Sequence, residues 1–406
     1  AGCSGKKTPE STVEKVVKIG ALAPLTGPAA HVGEEFKGGV AMAMEECGYK
    51  VGPYRIELKW LDTESDAEKA CRAMEEAIVK DNIVCSFLSW HSWEAVALMD
   101  LVAKYKMPHF FGFGATKVVN EKYTSDPEKY AYWVGKFWPS PSKLTTAYIE
   151  ALNGAIQQGL WSPRNRRVAL YGVDNDWGRD FAEAIGNQFQ AAGWQVVTKE
   201  WVALGETEFY PLLKKLKDLD VSVVAGTMSD PPSVSAFIKQ ARQVGLKSFI
   251  VCDGLGWIGD WYKLTGDASD YVLDQIPQWT TDKARKFKED FQKKFGFEPG
   301  PSTAGLAYDQ TQFLLEILNE AVKQHGEITR ETLAKVAKEM VMTGKLTLTE
   351  GIMMKEYKFT PESFPDPAIG QDYYIFPVIQ YFKGEGRIVW PAAWKQADLQ
   401  VPDYLK

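Results

Sequence analysis

Two tryptophans, a histidine and two serines occupy five consecutive positions, Ser89 to Trp93, within the stretch FLSWHSWEAV (87–96). The residues before them read as an apolar strand and the residues after them as an apolar helix, so neither neighbour requires these side chains. Large aromatic side chains at the tip of a strand belong either to the core or to the floor of a binding site. The stretch therefore indicates a candidate site for an organic ligand.

Signatures of catalysis are weak along the chain. The four histidines fall in separate segments and lack a partner four residues away. The sequence contains no GxSxG nucleophile elbow, no Walker phosphate-binding loop and no cysteine beside an evident base. The sequence therefore favours binding over catalysis, and it predicts neither a metal nor a cofactor.

One glycine pattern, GLGWIG at 254–259, matches the dinucleotide-binding fingerprint. That fingerprint requires a long helix directly after the glycines and an acidic residue about twenty positions further on. The following DWYKLTGDASDYVLDQIP leaves room for only about two helical turns before the next strand-like residues. The pattern therefore predicts a glycine-rich turn, and a two-domain nucleotide-dependent enzyme stays open as an alternative function.

Composition and charge restrict the partners of the chain. Its 406 residues suggest two or three domains, and its net charge of −6 argues against a nucleic-acid partner. Its 14 tryptophans favour contacts with an organic ligand. The sequence contains no internal run of about 18 or more apolar residues, which is the length that would predict a membrane span.

The amino-terminal stretch AGCSGKKTPESTVEKVVK places Cys3 after two small residues and before a polar segment. This order is similar to the end of a bacterial lipoprotein signal, in which the thiol after the small residues carries the lipid. The sequence therefore predicts a lipidated Cys3, a tether at 1–15 and membrane attachment through the lipid, with a free cysteine as the alternative. The other four cysteines lack metal-ligand spacing, and they suit either a disulfide or buried free thiols.

Apolar strands and amphipathic helices alternate through most of the chain. Examples are VVKIGALAP (16–24), the helical EEFKGGVAMAMEECG (34–48) and IVCSFLS (83–89), and the alternation restarts after a proline-bearing crossing at 129–143. This alternation predicts an α/β fold with two doubly wound lobes, each built on a mainly parallel sheet. The segment 373–391 predicts a hairpin.

Six segments fall at the carboxyl ends of the predicted strands, where ligands collect in open α/β sheets. Each segment is polar, rich in glycine or aromatic, and three belong to each half of the chain. They are 24–33, 88–92, 111–116, 173–178, 227–232 and 252–257. Two facing sets of such loops predict an interlobe ligand cleft that contains the SWHSW segment.

Several of these segments resemble the branched-chain amino-acid binding proteins of bacterial ATP-driven importers, which have the type I periplasmic binding protein fold. The resemblance is carried by IGALAPLTGPAAHVGEEFKGGVAMAMEE, MPHFFGFGAT, YGVDNDWGRDF and IKQARQVGLKSFIVCDG, over most of 16–390. It implies two lobes that are joined by three crossings and close around a ligand. We predict lobe 1 at 16–137 plus 258–345 and lobe 2 at 138–257 plus 346–406.

The resemblance implies that one loop of the first lobe receives the polar head of the ligand. In the family, this loop holds the ligand carboxylate through hydroxyl and main-chain N–H groups at a helix start. The loop is formed here by Ser89, Trp90, His91 and Ser92. Because Trp90 and His91 stand where the family has small hydroxyl side chains, a free amino acid is a less favoured ligand.

Other implied contacts come from both lobes. Gly114 and Thr116, with Ala115 between them, match positions that take the ligand ammonium, and Trp177 matches an aromatic lid from the second lobe. An aspartate at a second-lobe strand end would pair with an ammonium. The further candidates in the cleft are His31, Asp230 and Asp253.

Structural roles are the alternatives for several of these residues. Trp177 is alternatively a core side chain, Ser92 a helix cap and Asp253 the cap of a turn. Trp93 and Trp257 are predicted to be structural rather than ligand contacts.

These expectations combine into one functional prediction. The chain is predicted to be a lipid-anchored, extracytoplasmic, monomeric solute-binding protein that serves the permease and ATPase subunits of an ABC importer and does no chemistry. Its small-molecule ligand has an acidic or amide head, held by Ser92, Gly114 and Thr116. Trp90 and Trp177 enclose the apolar or aromatic body of this ligand. A ligand-sensing receptor ectodomain with the same clamp is a second alternative.

Overall fold

The first of two sheets has six strands. The computed structural model describes residues 14–406. The strand order is β2-β3-β1-β4-β5-β6, and neighbouring strands are parallel except for β2 and β3. The strands are β1 (Lys15–Ala23), β2 (Lys50–Val51), β3 (Tyr54–Asp62), β4 (Cys85–Leu88), β5 (His109–Gly112) and β6 (Trp133–Lys136).

Helices connect the strands of this sheet, as parallel neighbours require. A π-helical segment, Ala77–Asp81, extends the second helix. The helices are α1 (Ala30–Glu46), α2 (Ala67–Glu76), α3 (Ser92–Tyr105), α4 (Lys117–Ser125) and α5 (Pro127–Tyr130).

The second sheet has seven strands in the order β13-β12-β11-β10-β9-β7-β8. Its strands β7 to β11 are parallel where they pair, whereas β12 is antiparallel to both β11 and β13. The strands are β7 (Arg167–Val173), β8 (Gln195–Val202), β9 (Val223–Thr227), β10 (Phe249–Asp253), β11 (Leu273–Gln275), β12 (Val378–Phe382) and β13 (Glu385–Trp390).

The remaining helices divide between the two sheets. Six occur before β11: α6 (Pro141–Leu144), α7 (Thr146–Gln157), α8 (Asp176–Ala191), α9 (Tyr210–Asp218), α10 (Pro231–Gln243) and α11 (Trp261–Thr265). Three follow it: α12 (Asp282–Phe295), α13 (Leu306–His325) and α14 (Arg330–Val336). Helix α13 packs against α1 and β4, so the chain returns to the first sheet after β11.

The predicted α/β class with two lobes is confirmed. Strands β4, β9 and β10 are buried along their whole length. Burial on both faces is typical of parallel strands with helices on each side, and it explains why these strands read as continuous apolar segments in the sequence. The predicted hairpin is confirmed as well. Its turn residues Lys383 and Gly384 both have positive φ, at 49° and 82°, as a two-residue turn of type I′ requires.

One strand departs from the predicted division into lobes. Strand β11 lies inside 258–345, which we assigned to lobe 1, yet it pairs with β10 and β12 of the second sheet. The second lobe therefore extends at least to Gln275. The other lobe boundaries stay predictions, and Cys3 lies outside the described residues.

The GLGWIG pattern is a turn, as predicted. Gly254 has φ of 116°, a single 3-10 turn follows at Leu255–Trp257, and α11 beyond it has only five residues. The four cysteines after residue 13 are free thiols, and those of Cys85 and Cys252 are buried. Within residues 14–406, we find no helix with the length and hydropathy of a membrane span.

Candidate ligand-binding site

A cavity of about 320 Å³ lies where the carboxyl ends of the two sheets face each other. Loops after β4 and β5 and the segment after β6 supply one side of its wall, and loops after β7, β9 and β10 supply the other. The lining residues are Trp90, His91, Ser92, Trp93, Phe113, Ala115, Trp138, Trp177, Ser229 and Trp257.

The indole of Trp257 is the centre of this wall. Its ring centroid lies 5.3 Å from that of Trp90, 5.6 Å from Trp138 and 6.0 Å from Trp177. The interplanar angles are 86° and 79° with Trp90 and Trp138, and 54° with Trp177. Four rings from four separate segments thus meet at steep angles, and the Nε1–H of Trp257 is buried without a hydrogen-bond acceptor.

Backbone geometry turns the β4–α3 loop toward the cavity. Leu88 and Ser89 both have positive φ, at 69° and 82°. Non-glycine residues adopt this region rarely, and such strain is concentrated at functional sites. The bend ends the strand, so that Trp90 and His91 reach the wall before α3 begins at Ser92.

His91 is a neutral member of the wall. Its Nε2 lies 2.9 Å from Ser65 Oγ, and its ring stacks on Trp93 with a centroid distance of 4.0 Å. Because burial disfavours the charged ring, the pKa of His91 is lowered to about 3. At neutral pH the ring therefore brings no positive charge to the cavity.

Two predicted contacts on the first lobe, Ser92 and Thr116, use their hydroxyl groups within the protein. The hydroxyl of Ser92 accepts from the backbone N–H of Thr116 at 3.2 Å, and Thr116 Oγ1 caps α4 by accepting from Val118 N–H. A Cβ on Gly114 would lie 2.3 Å from Ala95 Cβ, so glycine is required here by close packing. Ser92 lines the cavity, whereas Gly114 and Thr116 do not.

Ala115 lines the cavity and connects it to a buried ion pair. Its carbonyl accepts from Lys136 Nζ at 2.8 Å, and the same Nζ lies 3.0 Å from Asp366 Oδ1. The charges of Lys136 and Lys143 lower the pKa of Asp366 to about 2, against the opposing effect of burial. The pair joins the last residue of β6 to the segment before β12.

Two predicted aspartates do not reach this cavity. Asp230 caps α10 through Ser233 N–H and accepts from Gly205 N–H at 3.1 Å. It lines a neighbouring cavity of about 340 Å³ that shares Ser229 and Trp257 with the first. Asp253 accepts from the hydroxyl of Tyr148 at 2.7 Å, and burial raises its pKa well above the usual range.

His31 and Ser89 also lie away from the lining. His31 is in the first turn of α1, where its Nδ1 lies 3.1 Å from Glu34 and its ring contacts Phe297. Ser89 is fully buried beneath the wall, and its backbone carbonyl accepts from Phe113 N–H. Of the predicted ligand contacts, the structure brings together Trp90, His91, Ser92, Ala115 and Trp177.

Sequence reasoning missed Phe113, Trp138 and Ser229, and it predicted structural roles for Trp93 and Trp257, which also line the cavity. A usable signal existed for Trp257, because it follows the carboxyl end of the predicted strand β10 by four residues. Trp177 is held by a hydrogen bond from its Nε1 to Thr227 Oγ1 at 3.0 Å, and it still lines the cavity.

The glycine turn binds the protein's own carboxylates. Asp274 accepts from the N–H groups of Gly254 and Gly256 at 3.0 and 2.7 Å. Glu35 accepts from Gly259 N–H at 2.9 Å. Because a phosphate would have to displace both carboxylates, the geometry argues against the nucleotide-binding alternative.

Comparison with known proteins is consistent with this geometry. The family model described as "Periplasmic binding protein" matches residues 16–380. The "Leu/Ile/Val-binding protein homolog 6" of Brucella suis is 26% identical over 234 residues, which are 57% of this chain and 56% of that protein. The chain thus aligns with just over half the length of this relative.

Two solved structures share the fold. A leucine binding protein from Thermotoga maritima superposes with a TM-score of 0.73 at 21% identity, covering 92% of this chain and 97% of the other. A solute binding protein of an ABC transporter from Rhodopseudomonas palustris, in complex with benzoate, superposes with a TM-score of 0.75 at 17% identity. That match covers 94% of this chain and 98% of the other.

Proposed function

The chain belongs to the periplasmic binding protein family, and on this premise we propose that it is the extracytoplasmic solute-binding component of an ABC importer. The observation that carries the proposal is the cavity between the carboxyl ends of the two sheets, which is lined by five tryptophans and a phenylalanine. Clefts at these strand ends are the usual ligand sites of open α/β sheets. The chain delivers its ligand to a membrane permease and an ATPase and does no chemistry itself.

The ligand of the proposal is a small amphipathic organic molecule with an acidic or amide head and an apolar or aromatic body. The wall supports an apolar body because six of its ten residues are tryptophan or phenylalanine. The hydroxyls of Ser92 and Ser229 and the start of α3 supply polar groups for a head. The benzoate complex of a protein with the same fold agrees with a ring-sized ligand.

The proposal includes a lipid anchor at Cys3 and closure of the two lobes around the ligand. The anchor rests on the small residues before Cys3 and the polar segment after it. Closure is supported by the division of the wall between loops of the first sheet and loops of the second. The protein acts as a monomer in this proposal.

A thermal-shift panel tests the proposal. Leucine, benzoate, benzamide, ATP and NAD are each added to the purified protein, and hits are confirmed by calorimetric titration. A true ligand at a hundredfold excess over its Kd stabilises the folded state by about 2.7 kcal/mol. We expect a response to a small organic solute and none to the nucleotides. Stabilisation by ATP or NAD alone would instead favour the nucleotide-dependent enzyme.

A variant locates the binding. Ala115→Leu enlarges a side chain on the wall and should remove the response to any solute that binds in this cavity. Circular dichroism of the empty variant establishes that it is folded. Retention of the full response by a folded Ala115→Leu protein would place the ligand elsewhere.

A further inference from the structure

The rings of the cavity form a box rather than a slot. The indole of Trp257 stands at 86° to that of Trp90 and at 79° to that of Trp138, and the angle with Trp177 is 54°. A slot for a flat aromatic ligand needs two parallel faces on which the ligand can stack, whereas rings at right angles present their faces in more than one direction and can surround a compact group. The geometry therefore favours a nearly spherical group in this part of the cavity.

The lining of the cavity offers no charged side chain that could pair with an anionic ligand. Among the ten lining residues, all within the described part of the chain, none is Asp, Glu, Lys or Arg. Lys136 lies behind Ala115, but its ammonium is paired with Asp366 at 3.0 Å and donates to three oxygens of the protein. The faces of indole rings, in contrast, attract cations, and tryptophan attracts them best.

The hydrogen-bonding groups of the wall distinguish between kinds of cation. A primary ammonium carries three N–H donors that each need an acceptor when buried. The two aspartates that the sequence predicts for an ammonium do not line this cavity, since Asp253 is bound by Tyr148 and Asp230 lines the neighbouring one. A fully methylated ammonium has no N–H to satisfy, so an aromatic wall without acidic side chains suits it.

From these observations we propose that the tryptophan box binds a quaternary, methylated ammonium group that is part of the transported solute. This inference rests on the proposed function and names the chemical class of its ligand. The box is formed by Trp90, Trp138, Trp177 and Trp257. Recognition comes from cation–π attraction and from exclusion of water around the methyl groups. The remaining part of the solute points toward the hydroxyls of Ser92 and Ser229.

Charged compounds and neutral compounds of the same shape test the inference. Choline and glycine betaine are titrated calorimetrically into the full chain beside their tert-butyl counterparts, 3,3-dimethyl-1-butanol and 3,3-dimethylbutanoate. Shape and apolar area match closely within each pair, so a difference in affinity reports the charge. We expect the quaternary compound to bind at least tenfold more tightly than its neutral-headed counterpart.

Other outcomes separate this inference from the proposed function. If the tert-butyl compounds bind as tightly as the quaternary ones, the cavity selects shape alone and the inference is wrong. If leucine or benzoate binds and neither quaternary compound does, the inference fails while the proposed function stands. If no solute in either panel binds, both fail.

A substitution series checks which property of Trp257 matters. Trp257→Phe keeps an aromatic face, whereas Trp257→Leu keeps an apolar side chain without one. We expect Trp257→Leu to weaken binding of the quaternary compound at least tenfold and Trp257→Phe to weaken it less. Trp161→Leu is the matched control, since Trp161 is buried and lines neither of the two cavities. Equal affinity of the Phe and Leu variants would overturn the role of the aromatic face.

Discussion

Seven tryptophans are buried within residues 14–406, and they divide into two groups with different surroundings. Trp90, Trp138, Trp177 and Trp257 line the cavity and are 3–8% exposed. Trp133, Trp161 and Trp194 lie in the core and are 1–3% exposed. Exposure therefore barely separates a candidate ligand contact from a core side chain.

Position along the strand separates the two groups. Each cavity tryptophan follows the carboxyl end of a strand by two or four residues, after β4, β6, β7 or β10. Of the core group, Trp133 begins β6, Trp194 directly precedes β8, and Trp161 lies in the loop that leads to β7. Loops at the carboxyl ends of parallel strands face the ligand cleft, whereas the amino ends do not. The same residue type thus lines the cavity at one edge of a sheet and packs in the core at the other.

The largest expected effect comes from truncating a core tryptophan. Trp161 stacks on Trp194 at 5.9 Å and meets Phe249 edge-on at 4.8 Å. Trp161→Ala should lower the free energy of unfolding by about 3–5 kcal/mol, because it removes packed rings and leaves a cavity. Urea denaturation followed by circular dichroism measures this loss.

The ligand affinity of the Trp161→Ala variant should, in contrast to its stability, be unchanged. Calorimetric titration of the Trp161→Ala protein, at a temperature where it stays folded, should give the wild-type Kd. A weakened Kd with unchanged stability would contradict the assignment of Trp161 to the core.

The sequence predicted the class of the fold well, because parallel strands buried on both faces are visible as uninterrupted apolar segments. It also predicted the edge of the sheets at which the cavity lies. It did not predict which residues line that cavity. Thr116 and Asp230 have polar side chains at the expected edge, yet both cap helices, and Gly114 lies under Ala95.

These differences have a physical cause. A hydroxyl or carboxylate at a strand end is also at the start of a helix, where unpaired backbone N–H groups compete with any ligand for it. The periodicity of apolar and polar residues does not show whether such a side chain caps the helix or contacts a ligand. Trp138 was missed for a related reason, since it lies in the proline-bearing crossing that the pattern of strands and helices does not cover.

Two stacked tryptophan–histidine pairs lie at opposite edges of the first sheet. His91 stacks on Trp93 at the cavity, and His109 stacks on Trp133 in the core with a centroid distance of 4.1 Å. Burial lowers the pKa of each histidine to about 3, against about 6.5 in an unfolded chain. Between these values the unfolded state binds more protons, so stability is fully present above about pH 6.5 and falls as the pH is lowered.

The contribution of each histidine is measured as the difference in unfolding free energy between the wild type and a His→Asn variant. The stability advantage of the wild type over His109→Asn should shrink by about 1.4 kcal/mol for each unit from pH 6 to pH 4. His91→Asn should give the same slope in the empty protein. Subtraction cancels the opposing slope of Glu35 and Glu94, whose pKa values burial raises to about 8. A flat difference for His91 alone would mean that water reaches the cavity wall and that the two sites are not equally dry.

The smallest expected effect concerns the cavity tryptophans and tests the comparison directly. Trp90 and Trp177 are contributed by different lobes, and both border the empty space of the cavity, so part of each ring lacks packing partners in the empty protein. We expect Trp90→Ala and Trp177→Ala each to weaken ligand binding at least tenfold, which is about 1.4 kcal/mol.

Both variants should lose less stability than Trp161→Ala, with a larger loss for Trp177→Ala because the hydrogen bond of Trp177 to Thr227 is removed. Calorimetric titration and urea denaturation of the same preparations give both quantities. Stability losses equal to that of Trp161→Ala, together with unchanged affinity, would show that these rings belong to the core and that the strand-end rule fails here.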